Sequence, residues 1–318
     1  MKKLLIKILL FISPIIILAY PLDLFLSYTL KKGIDYSGEI EVWNDIYNGK
    51  ANVDIAIYGS SRAWLHINPA IIEDILQKTA YNFGVDGHNF WLQYLRHLEY
   101  IYYNEQQPST IIYSVDMFTL QKRYDLYNLE QFLPYMFWNE SIYKYTNSYE
   151  GYDKHDYFVP LIRYAGKYEK IISSLATGFS KHPRLIRYKG FAGQDKEWND
   201  DFERAKAKNN NYQAKLDDES IVLFENFIKE CKNDNIDLVL VYTPEYIEGQ
   251  KYIENRSEVM SIYDNLAQKY DLLFLDYSND EISFDRSLFY NTSHLNKTGA
   301  NLFTTKLAHD LKMRMHNQ

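Results

Sequence analysis

Two segments near opposite ends of the chain carry the residue types that nucleophilic catalysis needs. Gly59-Ser60-Ser61-Arg62 directly follows Asp54 and the apolar run Ile55–Tyr58 and offers two hydroxyl groups. His294 lies in a polar segment ahead of a predicted C-terminal helix. A serine hydroxyl becomes an effective nucleophile when a neighbouring base such as histidine removes its proton. Because serine and glycine are also ordinary turn residues, the catalytic interpretation requires the two segments to meet in the fold.

The elements that would position these segments alternate between strands and helices. Helices are predicted to start near Pro69, with Asn68 as the N-cap, and near Asn89, and a third covers Ser257–Tyr270. The predicted strands are Val53–Tyr58, Ala80–Phe83, Thr110–Val115, Ile236–Tyr242 and Leu272–Leu275. This alternation predicts an α/β fold whose five-stranded parallel sheet has a flavodoxin-like order and helices on both faces. Ligands bind beyond the carboxyl ends of such strands, which is where Ser61 is expected.

The last predicted helix would bring His294 to the same edge of the sheet. Asn296 is a suitable N-cap, and Leu302, Leu307 and Leu311 are expected to form the apolar stripe that packs on the sheet. A histidine just before this helix and a serine just after the first strand can therefore meet.

The interval from Phe118 to about Lys215 interrupts the α/β pattern. It is rich in Tyr, Phe, Trp and Asn, and no core strand is predicted in it. We interpret it as a helical and irregular insertion that follows the third strand. Two roles remain open: covering the catalytic crevice and holding an acceptor, or packing against a partner protein.

The N-terminal segment is apolar enough to cross a membrane. Asp23 is the only charged residue between Ile8 and Leu30, and a helix of that length extends roughly 35 Å, against a hydrocarbon core of about 30 Å. A cleaved signal peptide is the alternative, but Ala19-Tyr20-Pro21 is a poor cleavage site, so an uncleaved anchor is favoured. Lysines at positions 2, 3 and 7 predict a cytoplasmic N-terminus and an extracytoplasmic remainder.

Three parts of the chain follow from these patterns. Residues 1–32 are the predicted membrane anchor, 33–52 a juxtamembrane spacer with a short helix, and 53–318 one catalytic domain that contains the insertion at about 118–215.

The net charge of −7 comes from mixed acidic and basic residues, and no basic patch indicates nucleic-acid binding. A single cysteine, Cys231, excludes a disulfide within one chain. The histidines have no metal-ligand spacing and no glycine-rich phosphate loop is present, so neither metal nor cofactor is predicted.

Taken together, these motifs resemble those of the SGNH (GDSL-like) hydrolase and acyltransferase superfamily, whose domain is a three-layer α/β sandwich. The resemblance is closest to its membrane-anchored branch, which modifies cell-surface polysaccharides. It implies that Ser61 is the nucleophile, that His294 is the base, and that the N–H groups of Ser61 and Gly87 form the oxyanion hole. The residue that orients the base is Asn291 where the family has aspartate, and Asp276 and Asp285 are alternative orienters.

The chain departs from the family pattern at two other positions. Ser60 replaces the aspartate that normally precedes the nucleophile, and Asp116 stands where the family has an asparagine that donates to the oxyanion. An ionised carboxylate cannot donate a hydrogen bond, so Asp116 is expected only to support the site. Arg62 and Asn89 are further candidates for substrate binding or support, although a structural ion pair explains Arg62 equally well.

The resemblance implies an enzyme of the bacterial cell envelope that needs no cofactor. Serine-dependent acyl transfer, in particular O-acetylation of an exported or cell-surface polysaccharide, is the leading hypothesis. The acyl group would come from a multispanning membrane acyltransferase, and the N-terminal helix would contact membrane lipid. Two alternatives remain open: a carbohydrate esterase or deacetylase, and a catalytically degenerate scaffold or polysaccharide-binding protein of the same fold.

Overall fold

The computed structural model describes residues 2–33, 38–178, 186–208 and 211–315. Within these residues the chain forms two compact units, described separately below. One contains residues 1–44 and 124–186, and the other contains residues 45–123 and 187–318. Residues 34–37 of the predicted spacer, and 179–185 and 209–210 of the predicted insertion, lie outside the described residues. The predicted three-part division of the chain remains a prediction.

The secondary structure alternates as an α/β pattern over most of the chain. The α-helices are α1 (Lys2–Lys32), α2 (Glu39–Tyr47), α3 (Ser61–His66), α4 (Pro69–Leu76), α5 (Phe90–Tyr103), α6 (Glu140–Thr146), α7 (Lys154–Phe158), α8 (Tyr168–Gly178), α9 (Asp201–Ala207), α10 (Asp218–Asn233), α11 (Ile247–Gln250), α12 (Arg256–Tyr270) and α13 (Lys297–Met315). The strands are β1 (Ile55–Gly59), β2 (Ala80–Asn82), β3 (Thr110–Val115), β4 (Asp237–Tyr242), β5 (Leu273–Asp276), β6 (Phe289–Asn291) and β7 (His294–Leu295). Short 3₁₀ helices cover Leu129–Phe132, Ile162–Tyr164, Glu281–Phe284 and Arg286–Leu288.

A five-stranded parallel sheet is the centre of the second unit. Its strand order is β2-β1-β3-β4-β5, and every neighbouring pair is parallel. Every residue of β1, β2 and β3 is buried, as expected of strands covered on both faces. The predicted α/β class, the flavodoxin-like order and an N-terminal apolar helix are confirmed.

Helix starts and packing follow the chemistry of the residues at their ends and faces. Asn68 caps α4 by accepting from the backbone N–H of Ala70 at 3.1 Å, and Asn296 accepts from the N–H of Gly299 in the first turn of α13 at 3.0 Å. The predicted stripe on α13 was wrong at Leu302, which is 51% exposed. The buried face contains Ala300, Phe303, Thr304, Leu307, Ala308 and Leu311. These positions share one side at 100° per residue, and residue 302 falls outside it.

The first unit contains the N-terminal helix. Leu10–Lys32 of α1 is long and apolar enough to cross a membrane, a property that it shares with signal sequences and some core helices. The rest of this unit is helical and irregular. It includes α6, α7 and α8.

Candidate active site

Ser61 is the first residue of α3, directly after the turn that ends β1. Gly59 makes this turn with a φ of 143°, and a Cβ there would lie 2.7 Å from the carbonyl oxygen of Ser114. Only glycine tolerates both the conformation and the close approach of β3. The turn therefore presents Ser61 at the carboxyl edge of the sheet.

Ser60 fastens the same turn to the end of β3. Its hydroxyl donates to the Asp116 carboxylate, and its oxygen accepts from the backbone N–H of Arg62 at 3.3 Å as the N-cap of α3. Asp116 also accepts from the backbone N–H of Phe118 at 2.7 Å and from the Thr119 hydroxyl at 3.2 Å. The carboxylate is thus surrounded by donors within the protein and is completely buried. Both departures from the family pattern meet in one contact, which holds the two loops together.

His294 reaches Ser61 from a small hairpin formed by β6 and β7. Its Nε2 lies 2.8 Å from the Oγ of Ser61, and its Nδ1 lies 3.0 Å from the Oδ1 of Asn291. The backbone N–H groups of Ser293 and His294 also donate to this Oδ1, at 3.1 and 2.9 Å. Since both are donors, the atom that faces the ring is the amide oxygen, so Nδ1 carries the proton. The Nε2 lone pair is left to accept the proton of Ser61.

The surroundings of the imidazole favour its neutral form. Burial, followed by the positive charges of Arg62 and Lys196, lowers the pKa of His294 from 6.5 to about 3. The ring of Tyr290 stacks on the imidazole with 5.4 Å between centroids, and Lys196 Nζ lies 5.4 Å from the Tyr290 ring centroid. At neutral pH His294 can therefore take up a proton. Its charged form, however, lacks the carboxylate that stabilises an imidazolium in a Ser-His-Asp triad.

The two alternative orienters make other contacts. Asp276 Oδ1 accepts from the backbone N–H of Ser278 at 2.8 Å. Asp285 Oδ1 accepts from the backbone N–H and the hydroxyl of Ser287, at 2.9 and 2.7 Å. Of the three candidates, Asn291 is the one bonded to the His294 ring.

A second histidine, which the sequence reasoning missed, supports the hairpin of His294. His66 is completely buried, and its Nε2 accepts the backbone N–H of Leu295 at 3.0 Å. Its Nδ1 therefore carries the proton and donates to the hydroxyl of Thr243 at 2.9 Å. Its two partners lie 177 and 229 residues away along the chain, so no local sequence pattern indicates these contacts.

Arg62 belongs to the same hydrogen-bonded network as His66 and Thr243. Its Nε donates to the Thr243 hydroxyl at 3.1 Å, Nη2 donates to the Thr243 carbonyl, and Nη1 lies 3.7 Å from the Glu245 carboxylate. The guanidinium also lies 4.5 Å from the ring centroid of Tyr242. Arg62 makes the ion pair considered for it and also lines the cavity beside His294, so its role in substrate binding stays a prediction.

Gly87 and Asn89 lie in the loop between β2 and α5. The backbone N–H of Val85 donates to the carbonyl of Gly59 at 2.9 Å, so the loops after β1 and β2 leave the sheet side by side. Gly87, with a φ of 67°, follows at the edge that also presents Ser61. Asn89 is buried at the N-cap position of α5 without a side-chain capping bond. The oxyanion role of the Ser61 and Gly87 N–H groups stays a prediction.

A cavity of about 320 Å³ adjoins His294. Its lining includes the loop residues Asn291, Thr292 and Ser293 and the charged side chains of Arg62, Asp201 and Glu245. It also includes large apolar and aromatic side chains, among them Phe118, Phe202, Tyr212, Tyr252 and Ile253. Two of these come from residues 187–215, the last part of the predicted insertion. Among the described residues, no group of three His, Cys, Asp or Glu side chains is placed to hold a metal ion.

Comparisons with known proteins do not assign the chain to a family. No protein-family model matches the chain, and no curated protein does. Among solved structures, the chain is similar to a proposed platelet activating factor from Streptococcus pneumonia, with 12% identity, a TM-score of 0.43, and coverage of 92% of this chain and 99% of that chain. It is also similar to a proposed acylhydrolase from Bacteroides fragilis NCTC 9343, with 9% identity, a TM-score of 0.39, and coverage of 87% and 99%.

Proposed function

We propose that this protein is a serine-dependent enzyme that transfers acyl groups through an acyl-serine intermediate. The observation that carries the proposal is the hydrogen-bonded chain from Ser61 through His294 to Asn291. A degenerate scaffold would have no need to keep the serine hydroxyl 2.8 Å from a neutral imidazole of defined tautomer. The enzyme is therefore favoured over the binding protein.

The reaction has two half-reactions that use the same groups. His294 Nε2 takes the Ser61 proton while Ser61 Oγ attacks the acyl carbonyl, and His294 then protonates the leaving group as the acyl–donor bond breaks. An acceptor hydroxyl next gives its proton to His294 and attacks the acyl-serine, which releases the new ester and restores Ser61. Backbone N–H groups of Ser61 and Gly87 would bind the oxyanion in both steps.

We further propose that the acceptor is a sugar hydroxyl of a cell-surface or exported polysaccharide. The cavity beside His294 supports this, because the aromatic faces of Phe118, Phe202, Tyr212 and Tyr252 suit the apolar faces of a sugar ring. The N-terminal apolar helix supports membrane anchoring, and the lysines at positions 2, 3 and 7 support an extracytoplasmic catalytic domain. The proposed acyl donor, a multispanning membrane acyltransferase, follows from the family resemblance alone. With water as the acceptor, the same site is an esterase or deacetylase.

Intact-mass measurement after treatment with an organophosphonate tests the acyl-enzyme proposal. We expect one adduct, located on Ser61 by peptide mapping. A second measurement then follows the acyl-serine formed from a model acetyl ester, in water and with added oligosaccharides. Faster decay of the acyl-serine with an O-acetylated oligosaccharide product supports transfer, and unchanged decay supports the esterase. If the enzyme never labels and never turns over an ester, the scaffold hypothesis replaces the proposal.

A further inference from the structure

The second half of α1 has a polar face that is buried within its own unit. Asp23 and Ser27, one turn apart, are 0% and 7% exposed. The Asp23 carboxylate accepts from Arg163 Nη1 at 2.7 Å, from Arg163 Nη2 at 2.6 Å, and from the backbone N–H of Leu161 at 2.8 Å. Arg163 Nη2 also lies 3.0 Å from the hydroxyl of Ser27. This half of α1 is therefore attached to the segment that contains Arg163.

The end of α1 is held as closely as its middle. A Cβ at Gly33 would lie 2.5 Å from the Oγ of Ser174, so α8 packs directly on the residue that follows the helix. Arg163, the partner of Asp23, also donates from Nε to the carbonyl of Leu133 at 2.8 Å. This bond links the Asp23–Arg163 pair to the loop before α6. From Asp23 to Gly33, one face of α1 is therefore packed into its folded unit, while Leu24, Phe25 and Tyr28 on the other face are about half exposed.

The first half of α1 has a different character. Its described apolar side chains include Leu4, Leu10, Phe11, Ile17 and Leu18, and each is more than 60% exposed. Apolar side chains on all sides, with so little burial, are typical of a helix surrounded by lipid. Asp23 is the first buried side chain of α1 among the residues whose side chains the structure describes, so the change between the two halves falls at Tyr20–Asp23.

Aromatic side chains cluster near Tyr20, where the character of α1 changes. The ring centroid of Tyr20 lies 6.1 Å from that of Phe137 and 6.2 Å from that of Trp138, and the latter two rings stack at 5.0 Å. Trp138 is 61% exposed, and its indole N–H donates to the carbonyl of Phe158 at 3.1 Å. Val159 and Ile162, neighbours of these contacts, are exposed as well. Tyrosine and tryptophan are enriched at the boundary between hydrocarbon and water.

Charged residues limit how deep this unit can enter a membrane. Exposed charged side chains on and between α6 and α7 include Glu140, Lys144, Glu150, Asp153 and Lys154. Such side chains are excluded from the hydrocarbon unless they are paired inside the protein, as Asp23 and Arg163 are. The unit can touch the headgroup region but cannot be immersed.

We propose that α1 leaves the membrane hydrocarbon at its helical turn Tyr20–Asp23, and not at its end at Lys32. Tyr20, Phe137, Trp138, Val159 and Ile162 form an aromatic collar that lies in the lipid headgroup region. This inference rests on the proposed membrane anchoring, and it adds the position along α1 at which the hydrocarbon ends. From Leu4 to Leu22 a helix extends ~28 Å, close to the hydrocarbon thickness. Lys7 lies near the start of this stretch, where a lysine side chain can extend its ammonium group to the headgroups. The remainder of α1 is then a stalk held outside the hydrocarbon by Arg163.

Cysteine mapping in the full chain tests the position of the boundary. The native Cys231 is buried and would be replaced by alanine, so that each variant carries one thiol. Leu18→Cys and Tyr28→Cys replace side chains that are 66% and 52% exposed, so neither change disturbs the packing. In nanodiscs of phosphatidylcholine and phosphatidylglycerol, a membrane-impermeant maleimide should modify Tyr28→Cys roughly tenfold faster or more, because lipid shields Leu18→Cys from water. Detergent should bring the two rates together.

Two outcomes of this mapping would overturn the inference in different ways. If both thiols are protected in nanodiscs, the hydrocarbon extends past Tyr28 and only the boundary is wrong. If both react equally fast and alkaline carbonate extracts the chain from membranes, the anchor itself is wrong and the boundary falls with it.

Fluorescence tests the collar independently. In vesicles of the same lipids, phosphatidylcholine brominated near the headgroup end of its chains should quench Trp138, and aqueous iodide should not. The Trp138 signal is the difference between the wild type and Trp138→Phe. The matched control is Tyr124→Trp in the Trp138→Phe background. Tyr124 is an 83% exposed aromatic residue of the same unit, and its backbone carbonyl accepts from the backbone N–H of Glu150. Iodide quenching of Trp138 in a carbonate-resistant protein would overturn the collar while leaving the anchor intact.

Discussion

The Nε2 of His66 accepts the backbone N–H of Leu295, the residue next to His294, at 3.0 Å. The rings of the two histidines cross at 83° with 6.0 Å between centroids. His66 thereby links α3, which begins with Ser61, to the strand that carries His294. This contact, which involves neither catalytic side chain, helps to keep Ser61 and His294 at the 2.8 Å distance of their own hydrogen bond.

Replacing His66 should lower the turnover number more than it raises KM. His66→Ala leaves the Leu295 N–H without its acceptor and allows the His294 ring to move, and a displacement of about 1 Å can cost on the order of 100-fold. His66→Gln, whose amide oxygen can accept the same N–H, should recover part of the loss. The measurements are kcat, KM and the rate of organophosphonate labelling. Equal losses for alanine and glutamine, with KM raised and kcat unchanged, would show that His66 does not position the base.

Removing the nucleophile or the base should abolish activity. Ser61→Ala and His294→Ala should each reduce ester turnover by roughly 10⁶-fold or to background, and the double variant should be no worse than either, because groups that act as one unit lose activity together. Ser261→Ala, at an exposed hydroxyl that bonds to the carbonyl of Ser257, is the control and should leave ester turnover unchanged. Additive losses in the double variant would argue against the pair.

Asn291, which bonds to the His294 ring, should control the acid limb of the pH profile of kcat/KM. A base must be unprotonated, so activity falls as pH drops through the pKa of His294, which burial and nearby cations lower to about 3. Asn291→Asp adds a carboxylate beside Nδ1 and should raise that pKa by about 1–3 units, which moves the acid limb to higher pH. Its esterase activity at neutral pH should equal or exceed that of the wild type. An unchanged acid limb in log(kcat/KM) would exclude His294 as the titrating base.

Asn291→Ala provides the complementary measurement. It removes the oxygen that sets the tautomer, but the loss should stay below the roughly 10⁴-fold that follows removal of an orienting carboxylate. A loss as large as that of His294→Ala would mean that Asn291 does more than orient the ring.

Ser60 should matter for stability rather than for labelling. Ser60→Ala removes one donor from the buried Asp116 carboxylate and the N-cap of α3, with an expected cost of about 1–3 kcal/mol in the free energy of unfolding. The denaturation midpoint in urea measures this cost, and Ser61 should still be labelled. Ser261→Ala, at an exposed hydroxyl that bonds to the preceding helical turn, is the control and should change stability little. If Ser60→Ala abolishes labelling while Ser61→Ala does not, the nucleophile is Ser60.

Buried neutral histidines should make the fold sensitive to acid. Burial lowers the pKa of His97 from 6.5 to about 4. Below pH 6.5 the unfolded chain therefore binds a proton that the folded chain does not. The free energy of unfolding should fall as pH decreases, by up to about 1.4 kcal/mol per pH unit for this group, until both states are protonated below pH 4. His97→Gln should reduce the slope between pH 6 and 4, and an unchanged slope would contradict the assignment.

Features encoded by short stretches of sequence were predicted correctly. Thr110–Val115 was predicted as a strand and is β3, because a short apolar run rich in β-branched residues suits a strand buried on both faces. The alternation of such runs with capped helices was enough to predict the parallel sheet and its order. Ser61 and His294 were recognised as a pair because each follows a motif at a predictable edge of that sheet.

Contacts between distant residues depended on the tertiary structure. Asn291 was a candidate orienter alongside two aspartates, and only the hairpin geometry, with two backbone N–H groups on its oxygen, distinguishes them. Ser60 and Asp116 each departed from the family pattern, and their mutual hydrogen bond is visible only once β1 and β3 are adjacent. His66 and Thr243 carry no local signal of their partnership. Such contacts join residues far apart in the chain, and their free energy depends on distances of a few ångströms that no local pattern encodes.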